Sequence, residues 1–108
     1  MSINSKQKGK RGELELVHWL KERGHEARRG QQYAGGTDSP DVICETLPGV
    51  HIEVKRTEKL NLYAALSQSQ FDSLGQGIPT VWHRKNNRDW VVILSAEQFL
   101  EIYTAANG

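Results

Sequence analysis

A chain of 108 residues, 37% hydrophobic and 25% charged, has the length and balance of one globular domain with a modest core. No apolar run approaches the roughly 18 residues of a membrane span, no signal-peptide stretch opens the chain, and the lone Cys44 excludes an internal disulfide; the expected setting is a reducing cytoplasm. The net charge of +1 divides unevenly, with eight Lys/Arg and four Asp/Glu in residues 1–30 against six and nine in residues 31–108, a distribution that suits a polyanion such as DNA at the N-terminal end.

In chain order, Lys6, Lys8, Lys10 and Arg11 fall within the first eleven residues with no acid among them, so residues 1–8 read as a basic, flexible arm on a single domain spanning 1–108. Residues 6–23 read as a helix, because Leu16, Val17 and Leu20 recur at helical spacing, and Gly24 stops it. Residues 25–33 are a polar strand running into a loop from Gly30 to Ser39, whose Gly35-Gly36 pair predicts mobility. Asp41–Glu45 reads as a short buried strand, and Leu47-Pro48-Gly49 as a turn. Val50–Arg56 alternates, with Val50, Ile52 and Val54 on one face. Residues 61–74 read as a second helix ended by Gly75 and Gly77. Thr80–Arg84 and Trp90–Leu94 pair around Asn86-Asn87, residues that tolerate positive φ. Ser95 with Gln98 forms a capping box for a last helix to about Ala105. The order α-β-β-β-α-β-β-α implies an α/β fold with a central mixed sheet flanked by helices.

Three carboxylates sit where a core element begins or passes. Glu13 lies three, four and seven residues before Leu16, Val17 and Leu20, on the apolar stripe of the first helix, where a lone carboxylate is costly without compensation; an exposed first-turn glutamate is the plain alternative. Asp41 follows Pro40 and opens an apolar strand, or is a simple turn aspartate. Glu53 and Lys55 share a strand face by the period of two, or form a solvated ion pair. Taken together, three hard oxygen ligands can hold Mg²⁺, which activates water and stabilises phosphoryl charge, while a lysine neutralises the developing charge.

Ser39-Pro40-Asp41-Val42 followed by Ile52-Glu53-Val54-Lys55 resembles the PD-(D/E)XK nuclease signature. With Lys8-Gly9-Lys10-Arg11-Gly12-Glu13 ahead of it, the chain resembles the archaeal and phage Holliday-junction resolvases over about residues 6–94. The Leu66-Ser67-Gln68-Ser69-Gln70 helix and the absence of insertions also resemble the small phage nucleases of the VRR-NUC type. The resemblance implies a restriction-endonuclease-like core and a metal-dependent endodeoxyribonuclease of branched DNA, encoded by a cell, phage or prophage. It implies Glu13, Asp41 and Glu53 as ligands of Mg²⁺ (with Mn²⁺ able to substitute), the Val54 carbonyl as a further ligand, Lys55 as the catalytic lysine, and a homodimer with no small-molecule cofactor. A non-cleaving DNA-binding module of the same fold, and a structural protein with all carboxylates at the surface, are the competing readings.

Other residues carry weaker signals. Gln70 falls near the centre of a helical arc formed by Tyr63, Leu66 and Leu74, and a glutamine on an apolar face needs partners that the catalytic site could supply. Arg28, Arg29, Arg56 and Lys59 are candidate phosphate contacts alongside the basic arm, and Tyr33 is a candidate base-stacking residue. Arg84, Lys85 and Arg88 cluster at a hairpin tip, positioned for a distal phosphate. Trp19, Trp82 and Trp90 are expected in the core or a dimer interface. His18, His25, His51 and His83 lack zinc spacing. His51, on the Glu53 face, reads as a surface histidine, with support of the site as the alternative.

Overall fold

The computed structural model describes residues 5–30 and 40–108, with side chains from residue 9 onward. It contains α1 (Ser5–Glu22), β1 (Ala27–Arg29), β2 (Val42–Cys44), β3 (Val50–Arg56), α2 (Leu62–Ser73), β4 (Ile78–Arg84), β5 (Val91–Ile93) and α3 (Ala96–Asn107). The element order matches the expected one. The predicted loop 31–39, with Tyr33, lies outside the described residues, as do the side chains of Lys6 and Lys8. The backbone is already helical from Ser5, so the second half of the expected flexible arm is the first turn of α1.

The five strands form one mixed sheet in the order β1-β2-β3-β4-β5. β2 runs antiparallel to β1 and β3, β5 antiparallel to β4, and the central β3–β4 pair is parallel with Val50 to Arg56 opposite Ile78 to Arg84. A parallel pair needs a crossover, and α2 supplies it. Asn61 caps α2 by accepting from the Ala64 N–H. Ser95 caps α3 by accepting from Gln98 N–H.

α1 closes one face of the sheet. Leu16, Val17 and Leu20 pack with Ala27, Val42, Cys44, Ile52, Trp82 and Trp90, and Trp19, Leu47, Val50 and Val54 complete the cluster. All three tryptophans therefore belong to this core or its margin. α2 covers the other face through Ala65, Ser69 and Ser73. Small residues bring the helix close to β4, where the Ser69 hydroxyl donates to the Thr80 carbonyl at 3.1 Å. This differs from the expected arc: Tyr63 and Leu74 are exposed, because serines and an alanine, not the large apolar residues, face the strands. The stretch His51-Ile52-Glu53 of β3 is consequently buried on both faces.

The entry to β4 is tight. Gly77 has φ +77°, and a Cβ there would meet the Gly49 carbonyl oxygen at 2.5 Å, the same oxygen that accepts from Ile78 N–H. Glycine alone satisfies both demands. Gly77→Ala should destabilise by on the order of 2 kcal/mol, a Tm roughly 10 °C lower, measured by thermal melting.

Candidate active site

Asp41 sits one residue ahead of β2. Its backbone N–H donates to the Ile52 carbonyl at 2.9 Å, and its Oδ2 accepts from the Val54 N–H at 2.9 Å. The side chain is thereby anchored to the strand that carries Glu53 and Lys55. Gly30 supports it from behind: its N–H donates to the Asp41 carbonyl, and a Cβ at Gly30 would collide with the Pro40 carbonyl.

Glu53 is 8% exposed. Its carboxyl is pushed up from 4.5 to about 7, first by burial and then by the adjacent Asp41, against the opposing hydrogen bond from His51. The His51 Nε2 lies 3.1 Å from Glu53 Oε1. The surface reading of His51 is therefore overturned, since it is 7% exposed and roofed by the α2 side of the sheet. Sequence could place it only on the Glu53 face; the burial comes from α2.

Glu13 is buried on the stripe where the sequence placed it, at 9% exposure. Burial raises its carboxyl above the usual range and Asp41 raises it further, while the Arg29 guanidinium opposes both. Arg29 Nε donates to Glu13 Oε1 at 2.8 Å. Sequence reading gave Arg29 to DNA phosphate; the structure gives it a carboxylate instead. Lys55 is half-buried, and its side chain makes no hydrogen bond or ion pair with another described residue. It borders a cleft of about 200 Å³ shared with Gly9, Gly12, Val54, Arg56 and Thr57.

Other candidates lie apart from this constellation. Arg56 spans elements, donating to Glu15 at 3.1 Å and Asn86 at 2.9 Å, and Arg84 also donates to Glu15. Two arginines sharing one carboxylate tie α1 to β3 and β4, so Arg56 has a structural duty within the fold. Gln70 is exposed; the apolar face that was to enclose it is not buried, so the reason for placing it at the site is removed. Lys10, Arg11, Arg28, Lys59, Lys85 and Arg88 are exposed cations, Arg28 lying 3.7 Å from Glu45.

Burial first, and then the nearby Asp41, disfavour a charged Glu53, the electrostatic condition in which a dication is favoured. The oxygens of these two carboxylates, with the Val54 carbonyl between Glu53 and Lys55, form a hard donor set suited to a divalent ion. Among the described residues no three Asp, Glu, His or Cys side chains converge on one point, and Glu13 is engaged by Arg29.

The chain matches the model of the archaeal Holliday junction resolvase family (Hjc) over residues 4–103. It belongs to that family. The family consists of PD-(D/E)XK-type nucleases, generally dependent on a divalent metal, which makes this resolvase-family chain a nuclease and favours the resolvase over the VRR-NUC resemblance. Its fold is similar to that of Archaeoglobus fulgidus Hjc, a Holliday junction resolvase from an archaeal hyperthermophile, with TM-score 0.58 and 24% identity over 81% of this chain and 72% of that one. No curated protein matches the sequence. No helix among the described residues is long and apolar enough to cross a membrane.

The raised Glu53 carboxyl predicts a pH dependence. Between pH 4.5 and about 7 the folded protein keeps a proton that the unfolded chain has released. Stability without metal therefore falls as pH rises through that window and stays lower above it. Glu53→Gln should flatten the decline and raise the metal-free Tm at pH 8 by on the order of 5 °C, read from melting curves in EDTA at pH 5 and pH 8.

Proposed function

We propose that this chain is a single-domain, Mg²⁺-dependent endonuclease that cuts phosphodiester bonds in four-way or otherwise branched DNA. The observation that carries the reading is the contact of two carboxylates, the buried Glu53 of β3 and the half-buried Asp41 just ahead of β2, with Lys55 next along the same strand face. Such a pair is unfavourable as it stands and becomes favourable when a dication and phosphate arrive.

In this mechanism Asp41, Glu53 and the Val54 carbonyl would hold the metal, with Glu13, paired with Arg29, as the third carboxylate beside them. Bound there, the ion supplies Lewis acidity toward the scissile phosphate and lowers the pKa of a water. Lys55, with no other partner among the described residues, donates to the phosphate oxygens and offsets charge that develops on them in the transition state. The buried walls of β3 keep these groups in a low dielectric, where each is stronger than in water. Exposed Lys10, Arg11, Arg28 and Lys59 contact phosphates away from the cut. Gln70 is left outside the machinery. A four-way junction is two-fold, and cutting it symmetrically calls for two sites, which a C₂ homodimer provides most simply. The reading places the protein inside the cell, where such DNA is found.

Lys55→Met tests the chemistry. Single-turnover cleavage of a bound four-way junction at saturating Mg²⁺ should slow on the order of 10²-fold or more, roughly 3 kcal/mol of transition-state stabilisation, with Tm unchanged and junction affinity nearly so. A surface ion-pair lysine predicts a change of at most about 1 kcal/mol. Cleavage within about threefold of wild type would remove Lys55 from the mechanism. Asp41→Asn should abolish cleavage while junction binding persists.

Phosphate contacts are tested by salt. Replacing Lys10 and Arg11 with glutamine should weaken junction binding and reduce the slope of log affinity against log salt by about one per charge removed, measured by fluorescence anisotropy across a salt series. An unchanged slope would put this turn of α1 outside the interface.

A further inference from the structure

His51 is the one buried histidine among the described residues, and its ring has no other hydrogen-bonding side chain there than Glu53. The residue is held by a chain of buried polar contacts. The Thr80 hydroxyl donates to the His51 carbonyl at 2.8 Å. The Ser69 hydroxyl of α2 donates to the Thr80 carbonyl. Ser69, Thr80, His51 and Glu53 are all buried. An apolar residue would fill position 51 at lower desolvation cost, since buried polar groups must be satisfied to be tolerated. Core filling alone therefore does not explain a histidine at this position.

We propose that His51 is a positioning residue that fixes which oxygen of Glu53 faces the metal. An ionised Glu53 only accepts hydrogen bonds, so the ring nitrogen toward it, Nε2, must carry the hydrogen. That bond occupies Oε1 and leaves Oε2 for the cation. A carboxylate held in this way binds through one oxygen, as small octahedral ions require, and resists the two-oxygen mode that larger Ca²⁺ accepts. His51 thus acts on metal choice and affinity through Glu53, without touching substrate. Partners that orient metal-binding carboxylates typically contribute 10–100-fold in affinity or activity.

The inference rests on the metal-dependent reading above, and its test separates the two. The variants are His51→Leu, which fills the space without a donor, and His51→Asn, whose amide can still donate to Glu53. Four measurements are made on the whole chain: Tm in EDTA, junction affinity in EDTA, calorimetric binding of Mn²⁺ and of Ca²⁺, and the Mg²⁺ half-saturation of single-turnover junction cleavage. His51→Leu should keep its Tm in EDTA within a few degrees of wild type, bind Mn²⁺ 10–100-fold more weakly, and raise the Mg²⁺ half-saturation by a similar factor. Its Ca²⁺ affinity should fall less, narrowing the preference for the smaller ion. Junction affinity in EDTA should not change, and His51→Asn should recover most of the Mn²⁺ affinity. A folded His51→Leu protein with wild-type Mn²⁺ binding and Mg²⁺ half-saturation overturns the role of His51 alone. If His51→Leu does not fold, His51→Asn decides: Mn²⁺ affinity nearer to wild type than that of His51→Ala supports the role, and equal losses in the two overturn it. Wild-type protein that neither binds Mn²⁺ nor cleaves with Mg²⁺ overturns the metal reading itself.

Discussion

The hydrogen bond from the Val54 N–H to Asp41 Oδ2 organises the rest of the site. It joins the residue just ahead of β2 to the centre of the Glu-x-Lys stretch on β3, and with the Asp41 N–H on the Ile52 carbonyl it fixes both ends of Asp41. Bringing a second carboxylate beside Glu53 is unfavourable in the absence of a cation. Ordinary strand pairing on either side holds the two together, so strain at the site is maintained by the sheet rather than by flexible loops.

Charge elsewhere is arranged to spare the site this repulsion. Glu13 has Arg29, and Glu15, two residues on along α1, serves Arg56 and Arg84. Successive acidic positions of one helix thus face two different tasks, one toward the carboxylate cluster and one toward the ends of β3 and β4. The Glu15 cluster crosses from helix to sheet and turn, and it keeps α1 in the register that delivers Glu13 to the site.

Much of this was legible in the sequence. Glu13 on the stripe of Leu16, Val17 and Leu20, the strand of Glu53 and Lys55, the caps at Asn61 and Ser95, and positive φ at Asn87 follow from local periodicity and residue chemistry. Less legible was anything decided by a third element. The burial of His51 depends on α2 approaching through Ala65, Ser69 and Ser73, and a pattern search for large apolar residues picks the wrong face of that helix. Arg29 and Arg56 read as free cations because their partners lie 16 and 41 residues away. The spacing of the small residues Ala65, Ser69 and Ser73 was the available signal, since small residues one turn apart permit close helix–sheet approach.

The unbroken pairing of Val50–Arg56 with Ile78–Arg84 has a consequence for how such a protein can vary in length. Side chains alternate along a strand, so deleting or inserting one residue within β3 turns every later side chain to the opposite face. Lys55 would then face α1 while Ile52 or Val54 entered the catalytic face. Changes of length are confined to places where facing is not inherited, such as Leu47–Gly49, the Asn86-Asn87 turn and the end of α3. A lineage can change length there without turning the strand over, and the seven positions of β3 can be altered only by substitution.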